Sequence, residues 1–162
     1  MYKTVKCIAV HDGDSIRVED KEEGLRYWLR LPDSDAPEVF APGFSTNQPY
    51  GKESGGKLRE ILKGNEIQIE VIGRDVYNRR LANVRLDNLN VEEFMVGNGH
   101  SWSYLNSPLY PEFKTLQANA KREKIGLWGL PGIKMRPSNW RKRTRSAQAM
   151  NVSLFDDERI VD

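Results

Sequence analysis

Cysteine and histidine are scarce: Cys7 is the only cysteine among 162 residues, and His11 and His100 are the only histidines. A lone cysteine excludes an internal disulfide, and its place in an apolar run marks it as a small buried hydrophobe rather than a reactive thiol. With so few nitrogen and sulfur ligands, a zinc-type site or a histidine-activated nucleophile has little support. No apolar run approaches the roughly 20 residues of a membrane-spanning helix, so no membrane partner is expected. The stretch from Met1 to Val10 is too short and too polar for a signal peptide. Cytoplasmic residence is the expectation, although a processed mature form would look the same. Net charge is scarce too: 25 basic and 23 acidic residues leave +2, so the overall balance singles out no partner.

What is present is the composition of a soluble globular chain, 38% hydrophobic and 30% charged, at a length that fits one domain with a real core. Five β-rich runs stand out, at residues 3–10, 15–19, 25–31, 66–72 and 80–86. The first two are joined by His11-Asp12-Gly13-Asp14, a hairpin signal, and the third stops at Pro32. Three helices are predicted. One spans Tyr50 to Lys63, with Leu58, Ile61 and Leu62 on one face and with Gly55 and Gly56 suggesting close backbone packing. A short one follows the capping pair Asn90 and Glu93 and runs through Val96. The third runs from about Pro108 to Lys124, with Phe113, Leu116 and Ala120 at helical spacing and Gly126 as its stop. A helix inserted after the third of five strands, with more helix at the end, predicts an α+β, mainly β fold: a five-stranded Greek-key barrel of the OB type.

This domain is expected over residues 1–140. After Trp140 the apolar periodicity is lost, which predicts a poorly ordered tail over 141–162. Six basic and no acidic residues lie between Lys134 and Arg145, followed by four acidic and one basic from Asp156 to Asp162. The basic part could follow a phosphate backbone or simply be a solvated end.

Acidic residues collect in two places: Asp12 and Asp14 in the first turn, then Asp33, Asp35 and Glu38 after the third strand. Asp-Gly-Asp alone is ordinary turn chemistry, and Asp-Ala-Pro-Glu alone is an ordinary loop start. On neighbouring barrel loops, however, they supply the several carboxylates that a hard, oxygen-seeking cation requires. Arg30 lies five positions before Asp35, and Arg79 and Arg80 follow the turn-like Asp75-Val76-Tyr77-Asn78. Carboxylates, a cation and guanidinium forks together suit phosphoryl chemistry, whereas arginines taken singly are more often surface ion pairs.

The run Asp12-Gly13-Asp14-Ser15-Ile16, then Arg30-Leu31, Asp35-Ala36-Pro37-Glu38, Pro49-Tyr50-Gly51-Lys52-Glu53, Asp75-Val76-Tyr77-Asn78-Arg79-Arg80-Leu81-Ala82, Val91, Gly99 and Gly126-Leu127-Trp128 resembles the staphylococcal nuclease (thermonuclease) family in order and spacing. The resemblance implies that Asp14 and Asp35, with the main-chain carbonyl of Ala36, bind Ca2+. It also implies that Glu38 activates or orients the attacking water. Arg30 and Arg79 are implied to hold the scissile phosphate of DNA or RNA, with cleavage leaving 3′-phosphate ends. Tyr77, and with it Tyr104, is expected to stack on bases without regard to sequence, and Trp102 to be a core residue. A small cleft of this kind favours single-stranded or frayed nucleic acid, and a monomer is expected.

The chain departs from the family pattern at Ser15 and Ala36, where threonine is usual, at Asp33-Ser34 before the ligand aspartate, and at Asn78 for glycine. Asn tolerates a positive φ, so that turn is expected to survive. Two rival readings use the same fold: a non-catalytic module that binds nucleic acid or protein, and a two-metal magnesium nuclease that also employs Asp33.

Overall fold

The computed structural model describes residues 1–40, 46–144 and 157–160. The β-rich runs form the expected strands. β1 (Lys3–Asp12) pairs antiparallel with β2 (Ser15–Asp20), and β2 with β3 (Leu25–Arg30). Beyond Pro32, the short β4 (Ser34–Asp35) leaves the barrel. β5 (Glu66–Arg74) returns beside β1, and β6 (Arg80–Leu86) lies beside β5. The barrel closes because β6 also runs parallel to β3, with Leu29 opposite Arg80 and Arg30 opposite Leu81. The result is the closed five-stranded OB-type barrel predicted from the pattern of elements, and its closure places the ends of β3 and β6 side by side.

Alternation along the strands turns Ile16, Val18, Leu29, Ile67, Ile69 and Val84 into a common core in which each is at most 1% exposed. Helix α1 (Gly51–Leu62) adds Leu58 and Leu62, both fully buried, as its apolar face anticipates. Burying one such side chain contributes roughly 1.5–3 kcal/mol. Cys7 is in the same core, and burial pushes its thiol up to about 11, so it is inert as expected. The two glycines of α1 differ. A Cβ on Gly55 would lie 3.2 Å from the Asp12 Cα, so this glycine lets the helix pack on the first turn, whereas a Cβ on Gly56 would meet nothing within 4 Å.

The short β7 (Leu89–Asn90) leads into helix α2 (Val91–Gly97), where the Asn90 side chain accepts from the N–H groups of Glu92 and Glu93. β8 (Trp102–Ser103) pairs with β4. Helix α3 (Tyr110–Glu123) ends at Lys124, which is left-handed at φ 55°; the expected stop, Gly126, instead opens a 3₁₀ turn (Gly126–Gly129). A fourth helix, α4 (Pro137–Arg143), raises the count above the predicted three. It is too short to show a periodic stripe, and it is held by the distant contacts described below. The expected domain boundary at 140 therefore falls inside a helix. Of the expected tail, residues 145–156 and 161–162 lie outside the described residues, while β9 (Glu158–Arg159) pairs with the edge of β3. No helix among the described residues is long and apolar enough to cross a membrane.

Candidate active site

A cleft of about 490 Å³ opens where the β1–β2 turn, the end of β3 and the β5–β6 turn meet. β1 slips register between Val10 and Asp12, a bulge of the kind that re-aims side chains, and both Asp12 and Asp14 line the cleft. The Asp12 carboxylate accepts from the N–H of Asp14 at 3.2 Å. Gly13 allows the turn to nestle here, since a Cβ would fall 1.9 Å from the Ser54 hydroxyl oxygen.

Asp14 Oδ2 accepts from the N–H of Ala36 at 2.6 Å, which ties the first acidic group to the second. Arg30 sits between them: its Nη2 is 3.2 Å from Asp14 Oδ2 and 3.4 Å from Asp35 Oδ1, and its Nη1 donates to the carbonyl of Ser34 at 2.7 Å. Across the cleft, Arg79 Nε donates to Asp75 Oδ2 at 2.7 Å and Nη1 to the hydroxyl of Ser15 at 3.2 Å. The departure of Ser15 from threonine thus keeps the hydroxyl that orients this arginine. Asn78 has the positive φ expected of it, 65°, and the turn also holds Tyr77, which is 50% exposed and 5.7 Å from the Arg79 guanidinium carbon. The Tyr104 ring is 5.9 Å from that of Arg30 and also lines the cleft. Trp102 is buried against Trp128, a core residue as expected.

The electrostatics follow from crowding. Burial works to raise Asp14, but the Arg30 charge and two hydrogen bonds outweigh it and hold the group below the usual carboxylate range. Burial, then the Asp14 and Glu38 charges, pushes Asp12 well above that range. Asp35 is also raised by burial, against the pull of Arg30. Glu38 is pushed up to about 7 by burial, against the opposing charge of Arg141. Burial is thus the largest influence on all four carboxylates, and only Asp14 is held low against it.

Four features lie beyond the residue pattern. Asp33 does not join the cluster: its carboxylate accepts from the Ser107 hydroxyl at 2.5 Å, and it does not line the cleft. Ser34 is buried, with no hydrogen-bond partner for its hydroxyl among the described residues, and it too is absent from the cleft. Glu92 at the start of α2 holds this loop in place, accepting from the N–H groups of Asp33 at 2.5 Å and Ser34 at 2.8 Å. Finally, Arg141 of α4 pairs with Glu38, a contact that sequence patterns could not signal because 103 positions separate the partners.

Glu92 yields a stability prediction. Burial and the neighbouring Asp33 charge push its carboxyl from the ordinary 4.5 up to about 8, so the fold favours the protonated form. The stability this gives is fully present below about 4.5 and is lost as the pH rises through about 8. Glu92→Gln keeps an acceptor for both N–H groups and never ionises. By denaturant titration it should be more stable than the parent at alkaline pH, by as much as roughly 5 kcal/mol, and the advantage should vanish in mild acid. A difference that does not change with pH would show that the Glu92 pKa is the same in the folded and unfolded states.

The family model described as staphylococcal nuclease homologue matches residues 28–129. The chain belongs to the staphylococcal nuclease family. An uncharacterized endonuclease of Escherichia coli O157:H7 is 33% identical over 139 residues, covering 85% of this chain and 84% of that protein. One of Haemophilus influenzae is 28% identical over 153 residues, covering 94% and 80%. A probable staphylococcal-like nuclease of Oryza sativa subsp. japonica is 29% identical over 154 residues, or 95% of this chain, which spans only 36% of the length of that relative. The match to the family model starts within β3 and stops at the 3₁₀ turn, so α4 and Arg141 lie outside it.

Proposed function

We propose that this protein is a calcium-dependent endonuclease that hydrolyses phosphodiester bonds in single-stranded or frayed DNA or RNA, with little sequence specificity, leaving 3′-phosphate ends. The observation that carries this reading is the single cleft that gathers Asp14, Arg30, Glu38 and Arg79, with Tyr77 and Tyr104 on its walls. A phosphate-binding module has no use for a crowd of carboxylates where its ligand must sit, whereas a hydrolase does.

Calcium fits the donor set. All the donors are hard oxygens, and burial raises Asp12 and Asp35. Among the described residues no three His, Cys, Asp or Glu side chains converge in a ready metal cage. Asp14, Asp35 and the Ala36 carbonyl would hold the ion. When bound, it supplies positive charge against the phosphate oxygens. A second metal using Asp33 lacks support, because that carboxylate is committed to Ser107.

The chain's own groups do the rest. Arg30 and Arg79, which both line the cleft, bring planar guanidinium forks to the phosphate. Glu38 orients and deprotonates the attacking water, and in-line displacement expels the 5′ oxygen. Tyr77, exposed at the tip of its turn, stacks on whichever base is offered. The protein acts as a monomer.

The direct test is incubation with denatured DNA and with RNA in calcium, in magnesium and in chelator, followed by identification of the product ends. Cleavage in calcium that stops in chelator and leaves 3′ phosphates is expected. Undiminished cleavage in excess chelator would remove the metal from the mechanism, and binding without cleavage under any condition would replace the enzyme by a binding module.

A further inference from the structure

The pairing of Arg141 with Glu38 is at odds with the role proposed for Glu38, since a carboxylate engaged by a guanidinium is a poor base for water. The contact is nonetheless well built. Gln48 accepts from the Glu38 N–H at 3.1 Å and donates to the Met135 carbonyl at 2.5 Å, joining the Glu38 segment to the approach to α4. Arg136 donates to the Ser103 carbonyl at 3.0 Å and lies 4.8 Å from the Trp102 ring, and Trp140 Nε1 donates to the Thr46 carbonyl at 3.2 Å. α4 is thus docked at several points, and Arg141 lines the cleft together with Arg30 and Arg79.

The three arginines differ in how firmly they are held. Arg30 has two carboxylates and two carbonyls, and Arg79 has Asp75 and Ser15 among its partners. Arg141 is 41% exposed and, among the described residues, its guanidinium pairs with Glu38 alone. It is the more exposed partner of the pair, since Glu38 is only 13% exposed. A phosphodiester in the cleft offers Arg141 a geometrically better, bidentate partner.

We propose that Arg141 is a third ligand for the substrate phosphates: on binding of a nucleic-acid strand it leaves Glu38 for a phosphodiester, and its departure releases Glu38 to face water. The proposal rests on the nuclease reading above. It adds a substrate-binding residue from outside the region matched to the family, and it assigns part of the basic segment after α3 to the nucleic-acid path. The exposed Lys142 and Arg143 on the last turn of α4 extend the same charge.

The experiment is a double-mutant cycle on binding, with a short fluorescein-labelled oligothymidylate in chelator so that nothing is cut. Arg141→Ala should weaken binding on the order of tenfold and flatten the plot of log affinity against log salt by about 0.7, one phosphate contact to a single strand. Arg141→Lys should recover the salt slope. Glu38→Gln releases Arg141 and should tighten binding several-fold, and it should lose that effect when combined with Arg141→Ala. Equal tightening in both backgrounds would mean that removing any negative charge suffices, which overturns the proposal. So would unchanged affinity and slope in both Arg141→Ala and Arg141→Gln, the second variant guarding against misfolding of the first. Cleavage of the same oligonucleotide by the parent protein in calcium reads the underlying function separately. A cutting parent with an uncoupled cycle removes Arg141 alone, and a non-cutting parent with a coupled cycle removes the enzyme while keeping Arg141 as a phosphate ligand.

Discussion

Replacing Arg30 or Arg79 with lysine should slow cleavage on the order of a hundredfold or more, the cost of losing one preorganised donor to the transition state, although net charge is unchanged. Both arginines have part of their fork fixed by protein. Arg30 is anchored by the Ser34 carbonyl at 2.7 Å, and Arg79 by Asp75 at 2.7 Å. Both residues line the cleft. A lysine has one nitrogen on a flexible stem and cannot be both anchored and aimed. Arg80 is the control. It turns away from the cleft, with its guanidinium carbon 3.7 Å from the Tyr27 ring and its ends on Glu23 at 2.8 Å and Asp157 at 3.2 Å. Arg80→Lys should therefore leave turnover near normal and appear only in the denaturation midpoint. Steady-state rates on denatured DNA decide the matter. Near-normal turnover in both Arg30→Lys and Arg79→Lys would sink their catalytic assignment, and equal losses at Arg79 and Arg80 would mean that general positive charge is enough.

Glu38→Gln and Asp35→Asn should fail in different ways. Removing the base at Glu38 should cost on the order of a hundredfold to ten-thousandfold in the chemical step, with calcium affinity close to that of the parent. Asp35→Asn removes the charge of a proposed calcium ligand beside Arg30 and Asp14, so calcium binding should weaken strongly, with activity recovering in part as calcium is raised. Calorimetric calcium titration alongside single-turnover rates separates the two. A Glu38→Gln protein that no longer binds calcium, beside an Asp35→Asn protein that still does, would reverse the roles.

Much of this was legible before any coordinates, for a physical reason. Strand alternation in β1 to β3, the apolar face of α1, the Asn90 cap and the positive φ of Asn78 are each encoded within a few neighbouring residues, where backbone sterics and side-chain period act directly. Asp14, Arg30, Asp35, Glu38 and Arg79 could be singled out because they lie at the ends of those local elements. α4 was not legible, being two turns long and held by contacts to Thr46, Ser103 and Glu38.

The sequence by itself determined which side chains are present and on which strand ends and turns they stand, because those depend on local geometry. Only the tertiary structure decided their neighbours. Parallel closure of β3 on β6 set Arg30 beside Leu81 and hence within the same cleft as Arg79. The Glu92 carboxylate, 59 positions from Asp33, fixed the loop from which Asp33 turns to Ser107 rather than to a metal. Arg141 met Glu38 across 103 positions. Such pairings are selected by burial, where each carboxylate must find a donor or accept a raised pKa, and no local pattern records which distant donor that is.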